Sequence, residues 1–91
     1  MKSINEKELI LKIIDVLNNI YLGTITIDDA EQIIFSPRTA MKLENEHCNE
    51  ELVDIIYRGC ELEDIESLIP EELNEEIKIL INMAEKLLED Y

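Results

Sequence analysis

Apolar residues recur at helical spacing from Pro70 to Tyr91. With successive residues 100° apart, Leu73, Ile77, Leu80, Ile81, Ala84, Leu87, Leu88 and Tyr91 fall on one face. Ile79 and Met83 widen that face to an arc of roughly 200°, against the stripe of about 100° or a little more that a surface helix carries. A long final helix is therefore predicted, covered on two sides by other helices or by a second subunit. The same period runs from about Asn5 to Leu22. There Leu9, Ile10, Ile13, Ile14, Val16, Leu17, Ile20 and Tyr21 oppose Lys7, Glu8, Lys12, Asp15, Asn18 and Asn19.

Shorter elements lie between these two. Ser3 or Asn5 can cap the first helix, and Gly23 can end it in the left-handed conformation. Gly23-Thr24-Ile25-Thr26 reads as a linker, since no second strand is available to pair with it. Thr26-Ile27-Asp28-Asp29 approximates a capping box, with Asp in place of the usual Glu or Gln. The helix it opens carries Ile27, Ala30, Ile33 and Ile34 as a stripe, and Phe35 closes it onto the core. Ser36-Pro37 restarts the chain as N-cap and first helical residue. That short helix runs to about Glu44, with Ala40, Met41 and Leu43 apolar. A polar loop follows. Asn49 then caps a helix that buries Leu52, Val53, Ile55, Ile56 and Tyr57 and is expected to stop at Gly59. Leu62, Ile65, Leu68 and Ile69 define one more amphipathic helix, which Pro70 ends. The fold class expected is all-α: a single domain over residues 1–91, built as a compact bundle of about five to six helices, two of them long.

Composition agrees. With two Gly, two Pro, three Tyr and one Phe, the core must be aliphatic, and a chain of 91 residues lies near the small end of what folds alone. No run of about 18 apolar residues exists to span a membrane. Met1-Lys2-Ser3-Ile4-Asn5-Glu6 lacks the apolar region of a signal peptide, so a cytoplasmic location is expected, with Cys48 and Cys60 as free thiols.

Charge changes the picture more. The net charge is −14, and it is unevenly placed. Residues 1–43 hold six acids and five bases, and residues 77–91 hold three acids and two bases. Residues 44–76 hold thirteen acids against Arg58 alone, a local charge of −12. Phosphate binding runs on Lys and Arg, so direct binding of nucleic acid or an anionic membrane is disfavoured. A basic protein partner fits better.

Leu22-Gly23-Thr24-Ile25-Thr26-Ile27-Asp28-Asp29-Ala30-Glu31 and the segment from Gly59 through Glu61-Leu62-Glu63-Asp64-Ile65-Glu66 to Pro70 resemble a family of small uncharacterised proteins from Gram-positive bacteria, catalogued as a domain of unknown function. The resemblance implies a bacterial, intracellular helical protein. It brings no catalytic residues, because the shared motifs are capping and packing residues.

Candidate chemistry is sparse. His47, Cys48 and Cys60 are the only soft-metal ligands, and none is paired at the spacing of about two to four residues that zinc sites use. Neither a metal nor a cofactor is expected. A Cys–His nucleophile pair would sit in anionic surroundings that oppose thiolate formation. The chain has no glycine-rich phosphate loop and no calcium loop with alternating oxygen ligands and a central Gly. The chain is not expected to be an enzyme, and a small hydrolase ranks last.

What remains is an acidic run without a base: Glu61, Glu63, Asp64, Glu66, Glu71, Glu72, Glu75 and Glu76. Like charges one helical turn apart, as at Glu71 and Glu75, cost about a few tenths of a kcal/mol. A neutral polar residue would avoid that cost. The expectation is an interaction protein, of the immunity type that covers a basic toxin or nuclease, using its 44–76 acidic surface. The alternative is a structural or regulatory homodimer through the final helix, with Ile79 and Met83 as its seam.

Overall fold

Four helices start on side-chain caps legible in the sequence. The computed structural model describes residues 4–91, so Ser3 lies outside the described residues and Asn5 is the cap observed for helix α1 (Glu6–Leu22). Its Oδ1 accepts from the Glu8 N–H at 3.1 Å. Helix α2 (Ile27–Ile33) opens with a complete capping box. The Asp29 N–H donates to the Thr26 hydroxyl, and the Thr26 N–H donates to the Asp29 carboxylate, both at 3.0 Å. The shorter Asp side chain still closes the box. Ser36 caps α3 (Pro37–Asn45), with Pro37 in its first turn. Asn49 caps α4 (Glu50–Cys60) by accepting from the Glu51 N–H at 2.8 Å. Gly23 ends α1 at φ +78°, a conformation that carries little steric penalty without a Cβ.

The remaining elements are α5 (Leu62–Leu68) and, after a 3₁₀ turn over Pro70–Glu72, α6 (Leu73–Leu88). No strand occurs among the described residues. The expected bundle of five to six helices reduces to a framework of four, α1, α3, α4 and α6, each of nine residues or more. Segments α2 and α5 are seven residues each, about two turns. The unbroken helix expected from Pro70 to Tyr91 is also corrected. No side chain caps α6, so the chain enters it through the tighter turn that Pro70 starts, and the last three residues lie beyond it.

Helix α1 lies antiparallel along α6. The Tyr91 hydroxyl donates to Glu6 at 2.7 Å at one end, and the Lys78 ammonium sits 5.5 Å from the centre of the Tyr21 ring at the other. Helix α3 packs on α4, α4 packs on α6, and α5 touches α2, α4 and α6. One aliphatic cluster fills the interior, from Ile10, Ile13 and Leu17 through Leu52 and Ile56 to Ile77, Leu80 and Leu87. Phe35 is buried within it.

Gly59 is not a helix stop. It is buried within the last turn of α4, and a Cβ built there would lie 2.6 Å from both Cγ and Cε1 of Phe35. The glycine is there because a ring takes the space of its side chain. Several residues expected inside are exposed instead: Tyr21, Ile33, Met41, Tyr57, Leu68, Ile69, Ile79 and Tyr91. Leu68, in the last turn of α5, and Ile69, before Pro70, are left on the surface. Among the described residues, no helix is long and apolar enough to cross a membrane.

Candidate functional site

The eight acids of the predicted surface divide into groups along α5. Glu63 and Asp64, in the first turn of α5, meet α2. There burial first, then a hydrogen bond with the Glu63 carboxyl and the charges of Glu63, Asp28 and Asp64, push the Glu31 carboxyl above its ordinary value. Glu61 lies at the α4–α5 junction. Burial, with the charges of Glu31 and Glu61, raises the Cys60 thiol. Glu72, Glu75 and Glu76 line a notch of about 180 Å³ on the other side of α5, with Ile65 and Ile79. Glu66 and Glu71 are exposed, and Glu71 precedes Glu72 in the 3₁₀ turn.

Glu76 is the member with a base. It accepts from Arg58 Nη2 at 2.5 Å, while Arg58 Nη1 lies 3.1 Å from the Met83 sulfur. The only base of residues 44–76 is thereby held on α6. The remaining bases lie outside this segment, so its surface stays strongly anionic.

Charge and periodicity did not place Asp28 and Glu31 in this surface, because both lie in the nearly neutral first half of the chain. Only the packing of α2 on α5 joins them to it. Glu50, Glu51 and Asp54 form a further acidic rim. With Ile55, Met83 and Lys86 they line a groove of about 340 Å³ between α4 and α6. These three lie within the predicted 44–76 surface but outside its base-free run.

His47 and Cys48 line a depression of about 470 Å³ with Glu44, Glu50 and Val53. His47 holds φ +56° in the loop. Cys60 sits at the far end of α4, about 16 Å along the helix axis at 1.5 Å per residue. The three soft ligands are thus not brought together, and among the described residues no group of three or more His, Cys, Asp or Glu side chains is placed to hold a metal ion.

A family model described as a protein of unknown function (DUF3969) matches residues 1–91. The chain belongs to that family. Comparison with curated proteins and with solved structures returns no match. The family membership carries no site residues to this chain, so the acidic surface stands on its own geometry.

That geometry gives a pH signature. The folded-state pKa of Glu31 lies above its ordinary 4.5. The stabilisation from its protonation is complete below 4.5 and lost as pH rises through the raised value. The opposite holds for Asp29. The Thr26 N–H, then the Thr26 hydroxyl, hold its carboxyl below the ordinary 3.8, and its stabilisation is lost as pH falls through that lowered value. Self-repulsion of a −14 chain also relaxes on mild acidification. The thermal midpoint is expected to rise from neutral pH to a maximum between the two ordinary values, 4.5 for Glu31 and 3.8 for Asp29, then fall. Glu31→Gln flattens the rise. A midpoint that declines steadily from pH 8 to pH 3 in a circular-dichroism series contradicts this account.

Proposed function

We propose that this chain is a non-catalytic interaction protein whose acidic surface binds a basic protein partner. The observation that carries the reading is the local charge of −12 over residues 44–76, with Arg58 held by Glu76 and the surface extended by Asp28 and Glu31. Such a field steers a cationic partner and fixes its orientation more than it adds raw affinity. In its concrete form the reading is an immunity-type inhibitor of a cationic toxin or nuclease, in the cytoplasm of a Gram-positive bacterium. The raised Cys60 thiol fits a binding role better than nucleophilic catalysis, which needs a thiolate.

The homodimer through α6 is the second reading. Exposed Ile79 favours it, but a two-fold interface sets each patch against its own copy. Here that would bring Glu72, Glu75 and Glu76 against the same acids.

Affinity capture from the native cell tests the first reading. The expected partner is basic, and its binding weakens steeply from low to physiological salt as the Debye length shrinks to about 8 Å. An acidic partner, or binding indifferent to salt, rules it out. Sedimentation at micromolar concentration tests the second, and a strict monomer removes it.

A further inference from the structure

The excess apolar width of α6 opens into two notches, both rimmed by carboxylates. Ile79 floors the one that Ile65 shares and that Glu72, Glu75 and Glu76 border. Met83 floors the other with Ile55, bordered by Glu50, Glu51, Asp54 and Lys86. Ile79 and Met83 are four residues apart, so they stand on one face, about 6 Å apart along the axis. The Arg58 guanidinium sits on Glu76 and the Met83 sulfur. Six acids against Arg58 and Lys86 leave this rim anionic.

We propose that this α4–α6–α5 face is a docking groove for a basic amphipathic helix of a partner protein. The helix sets apolar side chains one turn apart into the Ile79 and Met83 notches and aims flanking Lys or Arg at the rim. The inference rests on the reading of an acidic binding surface and names its seat and the partner's shape. Spacing and charge select the occupant. Ile79 and Met83, the α6 apolar residues of the two notches, stand one helical turn apart and match the i, i+4 anchors of helix-in-groove recognition. A wholly hydrophilic basic chain leaves both floors unfilled. A second copy of this chain brings like charges onto the rim.

The test uses the full chain with labelled Ile and Met methyl groups and two synthetic Leu/Lys peptides of identical composition. One carries its leucines on a single helical face, and the other carries them permuted around the helix. The amphipathic peptide is expected to shift the Ile79 and Met83 methyls and to bind about tenfold more tightly than the permuted one. Ile79→Ser weakens it about tenfold, and Glu72→Gln with Glu75→Gln weakens it while leaving the fold intact, since both acids are exposed. Equal binding of the two peptides overturns the groove and leaves the acidic-surface reading standing. So does a set of shifts confined to the Ile27 and Ile33 methyls of α2, beside the Glu31–Glu63 acids. Failure of both peptides, with a basic partner still captured from the cell, likewise removes the groove alone. A dimer of the free chain that Ile79→Ser dissociates assigns the notches to a second copy and overturns the proposal.

Discussion

Gly59→Ala is expected to lower the thermal midpoint by roughly 10 °C, the equivalent of about 2 kcal/mol in a domain of this size. Helix propensity alone predicts the opposite sign. Gly59 lies within α4, where alanine is favoured by about 0.5–1 kcal/mol. The new methyl, however, enters the ring of Phe35, with two of its atoms at 2.6 Å. That ring is 1% exposed, rigid, and surrounded by core, so it cannot swing aside as a long flexible side chain would. Overpacking of this kind costs about 1–3 kcal/mol or more, and the steric term wins. Phe35→Leu alone leaves a gap beside Gly59 and also destabilises. The double variant is expected to cost less than the sum of the two, since the methyl fills part of that gap. Urea unfolding of the four proteins measures the coupling. A stabilising Gly59→Ala contradicts the packing assigned to this glycine.

Arg58→Met is expected to cost about 1–1.5 kcal/mol, a figure for a charged hydrogen bond reduced for solvent exposure. The pair is only partly accessible, at 35% for Arg58 and 19% for Glu76. Methionine keeps an unbranched apolar stem and removes the charge, along with the Nη1 contact to the Met83 sulfur. Glu76 is then left half-buried beside Glu72 and Glu75 without its cation. Added salt restores part of the loss by screening the acids. Glu76→Gln is expected to cost less, because the amide oxygen still accepts from Arg58 and one repelling charge is gone. Denaturant midpoints at low and high salt test the asymmetry. A larger cost for Glu76→Gln than for Arg58→Met overturns it.

The capped starts of α1, α2, α3 and α4 were legible because each cap is a contact between residues two or three apart. The Asn5, Thr26–Asp29, Ser36 and Asn49 bonds all lie within that range. The φ of Gly23 and the −12 segment were legible for the same reason, one set by a single residue and the other by addition along the chain. Seven of the eight acids in the base-free run are exposed, and Glu76 is half-buried on a partner 18 positions away. Their grouping was not readable. Glu63 meets Glu31 only because α5 lies on α2.

The sequence by itself determined where helices begin, which long segments are amphipathic, and where the negative charge concentrates. These depend on bonds and periods within a helical turn or on simple counting. Tertiary structure alone decided that Gly59 makes room for Phe35, that Leu68 and Ile69 face outward, and that Ile79 and Met83 floor acid-rimmed notches. Each depends on which distant element arrives at the residue, and helical periodicity records only which side of its own axis a residue occupies. The final helix holds the core with Ile77, Leu80, Ala84 and Leu87. Its surplus apolar width stays uncovered at Ile79 because α4 and α5 flank that stripe without closing over it.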